Sequence, residues 1–555
     1  MENRALLAFV LSFAFFVFWG YFLSLVEDPP TQKQKQGEIA KKQSGAKKLK
    51  KAPADPTASS PAKAVKKPAS EEKAPESTPE PTKPAMVFDG QEKKFSVDTG
   101  LTKYVFSNRG GVIEQVLMKK YNFEGEPINV VNQVEDAKLL PLTLISSDDS
   151  INEIMQNAYY EASAESIELS ESQQSATFTL KLKHETGLEV TKKLTFNYNS
   201  FLVQVEADIS APSRENDNLS YSILWGPGLG GELASHTDYF VFAGATTFLN
   251  NERLEIKKED VSQVKEHKGT LEWTAFQNKY FAAALVPEKG VDYAETYKID
   301  DQLYVGLSLQ SVKSAVSSSI LLYVGTKEVF ILEESGHKLN RLMDYGWLGN
   351  KFAFLVKPLL RVLQFFYDVF GNYGWAIIFL TIVIKIIFFP LTHKSFKSMK
   401  GLQKIQPYVK VIQERHKDDR QKMNEEMIEL YKKHQVNPLG GCLPMLLQIP
   451  VFISLYHALF FSIELRGAPF MLWITDLSVA DPYYVTPVLM GVTMFLQQKM
   501  TPSVGDPVQQ KIMLMLPIVF TFLFVTFPAG LVIYWTINNL LTITQQYYIY
   551  KVAKD

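Results

Sequence analysis

The sequence predicts a multi-span α-helical membrane protein that also carries a large all-β domain and a charged helical hairpin. Three observations lead to this prediction. Residues 5–26 form an uncharged apolar run, about 250 later residues alternate apolar and polar positions as strands do, and five further apolar runs follow near the C-terminus. The 58 Lys+Arg nearly balance the 59 Asp+Glu, so charge does not favour a nucleic-acid partner and we expect none.

The first run, within residues 1–27, predicts an uncleaved transmembrane anchor. At about 1.5 Å per residue it spans about 30 Å, the thickness of a hydrocarbon core. A signal peptide is the alternative, but the run ends Ser24-Leu25-Val26 without a small-residue cleavage pattern. Residues 28–86, rich in Lys, Pro and Ala, predict a disordered tether because they bury too little apolar surface to offset the entropy of ordering. A solvated spacer is favoured over a basic tract that binds a membrane or nucleic acid.

Residues 87–345 predict a β-sandwich. Apolar residues occupy every second position around 178–182, 201–209 and 303–309, which is typical of strands with one buried face. Turn signals such as Asn108-Arg109-Gly110-Gly111 separate these segments. We therefore expect a large antiparallel domain with a core of its own.

Residues 346–371 predict a helix, because apolar residues within 351–370 recur at spacings of three or four. The apolar and basic faces favour a helix in the membrane interface. Packing of this helix against the sandwich is the alternative that the pattern leaves open.

Residues 372–550 predict five further spans, which bring the expected total to six. The runs are roughly 373–392, 442–463, 484–500, 510–527 and 530–550. Between the first two, residues 394–440 are strongly charged and helical in pattern, with turn signals near His416–Asp419. This segment predicts a helical hairpin that projects into water.

Charge sets the expected orientation. The hairpin holds 11 Lys/Arg, whereas loop 464–482 holds only Arg466, so the positive-inside rule places the hairpin in the cytoplasm. Six spans then put both termini, including tail 551–555, in the cytoplasm, and the tether and sandwich across the membrane. The tether's Lys residues do not oppose this assignment, because the rule weakens for long translocated segments.

Lys385 lies in the apolar segment TIVIKIIFFP. A Lys at the bilayer centre costs roughly 2.5–3.5 kcal/mol on insertion scales, so such a residue is functional by default. We favour a water-filled pocket around Lys385; snorkelling towards the headgroups and an ion pair with an unseen partner are the alternatives.

Further polar residues lie at membrane depth. They are Thr381, Gln448, Ser454, His457, Thr493, Asn538, Asn539 and Thr542. Each one alone is typical of helix–helix contacts, but their number supports a hydrated cavity. Ser454 and His457 also resemble a Ser–His pair, yet no glycine-framed nucleophile accompanies them, so a packing role is favoured.

The sequence predicts no enzyme, metal or cofactor. Its single Cys, Cys442, excludes an internal disulfide framework, a Cys-based zinc site and an iron–sulfur cluster. The motifs of metalloproteases, α/β-hydrolases and P-loop ATPases do not occur.

A set of ordered motifs covers nearly the whole chain except the tether. The motifs are WTAFQNKYFAAALVP (273–287), LYVGTKE (322–328), DYGW (344–347), NPLGGCLPMLLQIPVFISLYHAL (437–459), APFMLWITDLSVADPYYVTPVLMGVTMFLQQKM (468–500), DPVQQKIMLMLPIVFT (506–521) and PAGLVIYWTINNLLTITQQ (528–546). Together they resemble the YidC/Oxa1/Alb3 family of membrane-protein insertases, in the Gram-negative type with a large periplasmic domain.

The resemblance implies a fold and a function. The sandwich would be a periplasmic supersandwich related to galactose-mutarotase-like folds, and the last five spans an insertase core whose groove opens to the cytoplasm and to lipid. The chain would then insert and help fold newly made proteins of the cell inner membrane, alone or with the Sec translocon. Expected partners are nascent inner-membrane proteins, the phospholipid bilayer, the Sec translocon, the signal-recognition receptor and the ribosome.

The resemblance also assigns candidate residues. Lys385 takes the groove position where Arg is usual, Thr381 lies one turn earlier, and Trp535 replaces a common Tyr. The full expected groove lining is Lys385, Thr381, Gln448, Trp535, Asn538 and Asn539. A hydrophobic slide is expected at Phe452, Leu455, Leu459, Met515, Phe520 and Phe524. The hairpin would dock partners through Arg415, Lys417, Arg420 and Lys422, or would simply present a solvated face.

Two other functions remain as alternatives. A membrane-anchored periplasmic sugar-binding or sugar-active protein is compatible with a mutarotase-like fold, although fold alone does not determine function. His184, His236, His267 and His337 show no recognisable acid–base pairing in the sequence. A secondary transporter is the other alternative, but the five spans contain no convincing inverted repeat.

Overall fold

The computed structural model describes residues 90–123, 125–134, 139–212, 219–230, 242–312, 315–416, 419–436, 443–501 and 507–552. The predicted anchor at 1–27 and the predicted tether at 28–86 lie outside these residues.

The β domain is built from strands with two short helices. Its helices are α1 Asp149–Asn157 and α2 Val329–Glu334. Its strands are β1 Lys94–Asp98, β2 Thr102–Ser107, β3 Val112–Phe123, β4 Glu126–Asn129, β5 Leu144–Ser146, β6 Glu161–Ala162, β7 Ser166–Glu168, β8 Ser175–Lys183, β9 Glu189–Asn197, β10 Leu202–Ser210, β11 Tyr221–Trp225, β12 Gly244–Leu249, β13 Glu252–Ile256, β14 Val264–His267, β15 Leu271–Gln277, β16 Phe281–Lys289, β17 Val291–Ile299, β18 Gln302–Leu309, β19 Ser311–Val312 and β20 Ala315–Thr326.

These strands form three sheets around one large apolar core. The first sheet has the order β4-β3-β2-β1-β7, the second β13-β12-β15-β16-β20-β10-β9-β8-β6, and the third β14-β17-β18-β11-β5. Strand β19 pairs with β20 at the side of the second sheet. The predicted all-β domain is therefore confirmed.

The predicted alternation is confirmed for β10, where Val203, Val205, Ala207 and Ile209 are buried and the polar residues between them are not. For β18 it is wrong, because Tyr304 and Ser308 are as buried as the predicted core face. The reason is that β17 and β11 flank this strand and a second apolar cluster around Leu139 covers its other face.

The remaining helices follow the β domain. They are α3 Gly346–Phe370, α4 Tyr373–Arg415, α5 Arg420–Lys433, α6 Leu443–Phe461, α7 Val485–Met500, α8 Pro507–Phe524 and α9 Ala529–Tyr547. Helix α4 ends and α5 begins on either side of the predicted hairpin turn. Short π-helical geometry continues α9 over Tyr548–Val552.

Helix α4 contains the first predicted core span, 373–392, and the first arm of the hairpin. The helix continues without a break through Pro390 and Pro407, for 43 residues. Among the described helices, α4 is the one long and apolar enough to cross a membrane, while 448–461 and 513–524 are shorter apolar stretches. The count of six spans therefore stays a prediction.

Helix α3 contacts both the β domain and the helical core. Lys357 forms an ion pair with Glu333 at the end of α2, and the Arg361 guanidinium lies 5.4 Å from the centre of the Phe330 ring. Helix α3 also packs on α4 and α6. The membrane-interface and sandwich-packing interpretations of this helix are thus compatible.

The end of α6 also enters the β domain. Ile463, just past α6, is almost fully buried within the apolar core of the sheets. Nearby, the Tyr121 hydroxyl donates a 2.6 Å hydrogen bond to Glu328, which is itself hydrogen bonded to Glu464. Burial, and then the neighbouring Glu328 charge, raise the pKa of the Glu464 carboxyl.

Candidate functional site

Polar side chains from α4, α6 and α9 meet inside the helical core in three hydrogen-bonded pairs. The Gln448 amide donates to Asn538 at 2.8 Å, the Lys385 ammonium donates to the Thr542 hydroxyl at 2.7 Å, and the Gln545 amide donates to the Thr392 hydroxyl at 2.7 Å. We call these six residues the polar seam. It joins α9 to α6 through one pair and to α4 through two.

Helical periodicity explains the polar seam. Asn538, Thr542 and Gln545 are spaced i, i+4 and i+7, so they lie on one face of α9. Lys385 and Thr392 are likewise seven residues apart on α4. Two parallel rows of polar side chains therefore face each other where these helices pack.

Lys385 lies at the edge of the helical core. Its ammonium has one hydrogen-bond partner, Thr542, among the residues that the structure describes, whereas Ile386 and Ile387 next to it are exposed. No carboxylate in the described part of the chain forms an ion pair with Lys385. The ion-pair alternative for Lys385 thus has no support within those residues.

Asn539 lies apart from the polar seam. It is one residue from Asn538, about 100° around the helix, and its amide donates to the Thr493 hydroxyl of α7 at 3.3 Å. Gln546, seven residues further on, donates to Thr501 at the end of α7 in the same way. In this structure Asn539 contributes to the α9–α7 contact, and its place in the groove lining stays a prediction.

Thr381 is buried one turn before Lys385, and its hydroxyl donates to the Ile377 carbonyl oxygen of its own helix at 2.7 Å. It shares the Lys385 face of α4 but makes no hydrogen bond to the other helices among the described residues. Its hydroxyl is satisfied within its own turn.

Trp535 is the centre of an aromatic cluster. Its ring lies 4.6 Å from Phe452 of α6 and 5.9 Å and 5.1 Å from Phe520 and Phe524 of α8, measured between ring centroids. Three of the expected slide residues therefore surround one side chain of the expected groove. The Trp535 indole, which belongs to α9, thus contacts both α6 and α8.

The other expected slide residues lie in different surroundings. Leu455 and Leu459 are buried in the apolar core of the helices. Met515 is exposed on the outer face of α8, in a row with Ile518 and Phe522. The structure thus splits the expected slide into an aromatic cluster, a packed part and an exposed part.

The opposite end of the core is covered by the loop between α6 and α7, residues 462–484. Its backbone binds the start of α9, because the Ala529 and Gly530 amides donate to the Val479 and Leu477 carbonyls at 2.8 Å and 3.0 Å. The Asn372 amide, at the start of α4, donates to Phe470 O at 3.1 Å. This loop therefore ties the ends of α4, α6, α7 and α9 together.

Sequence reasoning missed several residues of this arrangement. Thr392 and Gln545 were absent from the expected groove, although their i+7 spacing from Lys385 and Asn538 was a usable signal. Asn372 caps α4 by accepting from Trp375 N, and the sequence signal was an Asn immediately before the helix. Asp481, which is buried and accepts a 3.0 Å hydrogen bond from the Trp473 indole, was also absent from the predicted residues.

The expected docking residues lie on the hairpin. The side chains of Arg415 and Lys422 are largely exposed, with long contacts of 3.9 Å to Glu426 and 3.7 Å to Asp419. Lys417 and the side chain of Arg420 lie outside the described residues. His416 bonds Glu426 at 3.0 Å and links the two arms.

The Ser454–His457 pair is a packing feature, as favoured from the sequence. The Ser454 hydroxyl donates to the Phe352 carbonyl of α3 at 3.0 Å, and the His457 ring lies 5.3 Å from that of Tyr345. Gly349 makes room for His457, since an added Cβ would collide with the imidazole. These contacts hold α6 against α3.

The described histidines His184 and His267 do not support the sugar-active alternative. His267 is buried and shares a 3.0 Å hydrogen bond with Thr296, and burial lowers its pKa to about 4. His184 is bonded to Thr186 two residues away. His236 lies outside the described residues.

The chain is similar to known proteins over nearly its whole length. Residues 365–555 match the family model described as 60Kd inner membrane protein, and residues 94–362 match that of the YidC periplasmic domain. A membrane protein insertase YidC of Geobacter metallireducens is 39% identical over 99% of this chain and 98% of its own length.

Two solved structures show a more distant similarity. An active YidC insertase with its first transmembrane domain resolved is 17% identical and covers 83% of this chain and 93% of that chain, with a TM-score of 0.35. A galactose mutarotase-like protein from Lactobacillus casei is 11% identical and covers 42% of this chain and 99% of that chain, with a TM-score of 0.26.

Proposed function

Because this chain belongs to the YidC family of membrane-protein insertases, we propose that it inserts newly made proteins into the inner membrane and that their polar tails enter at the polar seam. The observation that carries the proposal is the Lys385–Thr542 pair: a cation at the edge of the core, bound to a neutral hydroxyl and to no described carboxylate. An unneutralised charge at membrane depth is stable where water or an anionic substrate can reach it.

The seam lowers the barrier that a polar tail meets in hydrocarbon. Six polar side chains along α4, α6 and α9 offer hydrogen bonds in place of those lost from water. Water drawn between these helices from the cytoplasmic side shortens the remaining dry path. The three hydrogen-bonded pairs of the polar seam would lie at increasing depth from the cytoplasm. Their order would be Thr392 with Gln545, then Lys385 with Thr542, then Gln448 with Asn538.

Lys385 favours acidic tails. Coulomb attraction in a poorly solvated recess is several times stronger than in bulk water. A membrane potential that is positive outside then draws each acidic group onward with about 2.3 kcal/mol per charge per 100 mV. Insertion of such a tail needs no nucleotide.

The apolar part of the substrate would leave beside the aromatic cluster of Trp535. Phe452, Phe520 and Phe524 present a rigid apolar surface next to the seam, and Met515 extends it towards the exposed face of α8. Transfer of the segment to lipid releases roughly 25 cal/mol per Å² of apolar surface. The tail and the apolar segment thus follow adjacent routes.

The hairpin of α4 and α5 would dock cytoplasmic partners. Its exposed basic side chains, including Arg415 and Lys422, offer charge for a ribosome, a signal-recognition receptor or the Sec translocon. Removal of residues 400–430 should lower insertion of substrates that these partners deliver. Normal insertion of all substrates by the shortened chain would count against docking here.

The test of the proposal is charge at position 385. In cells that are depleted of the unmodified protein and express a variant, Lys385→Ala and Lys385→Glu should reduce insertion of a short-tailed substrate with an acidic translocated segment. Lys385→Glu should have the larger effect. Lys385→Arg should retain insertion because it keeps the charge. The matched control is Lys397→Ala, on the exposed cytoplasmic part of the same helix. Unchanged insertion in both Lys385→Ala and Lys385→Glu would remove the cation from the mechanism.

A further inference from the structure

The α6–α7 loop, residues 462–484, has an inner and an outer face. On the inner face, Ile474 and Leu477 are buried in the apolar core of the helices. On the outer face, large apolar and aromatic side chains are exposed, and Leu472 reaches 82% exposure. The exposed set, which we call the loop's outer face, is Met471, Leu472, Val479, Tyr483 and Tyr484.

The acidic side chains of the loop between residues 467 and 484 are hydrogen bonded within the loop. Residues 467–484 contain two charged side chains, Asp476 and Asp481. Asp476 accepts hydrogen bonds from the amide and hydroxyl of Ser478, both at 2.7 Å. Asp481 is almost fully buried and accepts from the Trp473 indole and from two backbone amides. A loop that faces water usually directs its charges outward, so this arrangement indicates a different environment.

The exposed tip is held in place by the fold. The Phe470 amide donates to the Ile474 carbonyl at 3.0 Å and the Ile474 amide to the Met471 carbonyl at 3.2 Å, which closes a tight turn. Leu472 adopts the left-handed region at φ 56°, which is unfavourable for a residue with a Cβ. A strained and exposed Leu gains nothing from water, whereas transfer to lipid returns the free energy of burying its side chain.

The outer face is continuous with the apolar surface of α7. Tyr484 directly precedes this helix, whose exposed face carries Val488, Leu489 and Val492 over its first two turns. Tyr side chains favour the boundary between headgroups and acyl chains. The surface therefore passes without a charged side chain from the loop tip to a helix of the expected membrane core.

We propose that the outer face of the α6–α7 loop is a lipid-binding surface, which inserts Met471 and Leu472 into the outer leaflet and places Tyr483 and Tyr484 among the phospholipid headgroups. The loop also binds the ends of α4 and α9. Contact with lipid would therefore hold the loop, and the end of the helical core that it covers, at a defined depth in the membrane. The proposal depends on membrane location and not on the substrate route.

The experiment uses the full chain in phosphatidylethanolamine/phosphatidylglycerol vesicles. The chain carries the substitutions Cys442→Ser and Met471→Cys, and an NBD fluorophore is attached to the cysteine introduced at position 471. The matched control places the label at Lys183, an exposed position at the end of β8. We expect a blue-shifted emission at 471, iodide quenching severalfold weaker than at 183, and strong quenching by lipids with a nitroxide near the headgroup. Equal iodide quenching at the two positions would overturn the proposal.

A second variant and a dilution series separate lipid from protein as the occupant. Leu472→Asp in the 471-labelled chain should restore iodide quenching towards that of the control, because a carboxylate opposes insertion. The shielding should persist when the lipid-to-protein ratio is raised tenfold. Shielding that disappears on dilution, or that lacks nitroxide quenching, would assign the surface to a second copy or to the protein itself and would refute lipid binding.

Discussion

The Lys385–Thr542 hydrogen bond gives a direct test of whether the polar seam is wet. Its 2.7 Å length and its charged donor make it a strong bond in a dry site, where hydrogen bonds to charged groups are worth about 1.5–3 kcal/mol. In a hydrated recess, water replaces either partner when the other is removed. The interaction energy then falls below that range, because water offers each partner an alternative hydrogen bond.

The perturbation is a double-mutant cycle of Thr542→Val and Lys385→Met. Val preserves the shape of Thr, and Met preserves the unbranched stem of Lys. Thr542 also donates to the Asn538 carbonyl at 2.7 Å, but the loss of that bond appears in both arms of the cycle and cancels. The cycle thus isolates the ammonium–hydroxyl interaction.

The assay is equilibrium unfolding in mixed micelles of the unmodified protein, the two single variants and the double variant. Insertion of a short-tailed acidic substrate is measured for the same proteins. We expect a coupling energy below about 1 kcal/mol and near-normal insertion by Thr542→Val, because water takes the place of the hydroxyl. A coupling energy above about 1.5 kcal/mol would indicate a dry pair. That result would refute a hydrated seam, even if Lys385 proved essential.

Three further predictions concern stability. Lys192, fully buried in the β domain, donates to the carbonyls of Gly110, Gly111 and Leu142 at 2.8–2.9 Å, so Lys192→Met should lower the free energy of unfolding by about 2–5 kcal/mol. Lys193→Met, which removes an exposed ion pair with Glu206, should cost less than about 1 kcal/mol in the same denaturation assay; equal losses would contradict the role given to the carbonyls. Gly491 of α7 lies against Thr521 of α8, where an added Cβ would collide with the hydroxyl, so Gly491→Ala should destabilise by about 1–3 kcal/mol in thermal unfolding. The control is Gly401→Ala, where the added Cβ would lie 3.4 Å from the nearest side-chain atom, so this variant should be neutral or stabilising. A similar loss of stability in Gly401→Ala would point to a general effect of helix substitutions. Because the folded-state pKa of Glu464 is raised above its unfolded value, its contribution to stability is complete below the unfolded pKa and is lost as pH rises through the folded one. Thermal unfolding should therefore occur at lower temperature as pH rises above about 4.5, and Glu464→Gln should reduce that slope; an unchanged slope would exclude Glu464 as its source.

Local pattern was enough to find the elements of this fold. The alternation in β10 and the apolar runs of α4 and of α6 to α9 are properties of neighbouring residues, and strands and helices lie where these patterns predict them. The hairpin turn near His416 was also found, because capping and turn residues act within a few positions. Pattern failed at β18, because the apolar cluster around Leu139 that covers the second face of this strand comes from a distant part of the chain.

The candidate site was predicted in part. Lys385 stood out as a charge among apolar residues, and Gln448 and Asn538 joined it as polar residues at membrane depth. Their pairing could not be predicted, since Asn538 and Asn539 are chemically identical neighbours. Only the packing of α9 against α6 on one side and α7 on the other distinguishes them.

The sequence by itself determined where the chain forms strands, where it forms apolar helices, and that one lysine lies among apolar residues. These features follow from side-chain chemistry and from spacings of a few residues. The tertiary structure decided which polar groups share a hydrogen bond, which apolar residues of the α6–α7 loop face the core, and which face outward. Such choices depend on the rotation and contact of elements far apart in the chain, and no local spacing encodes them.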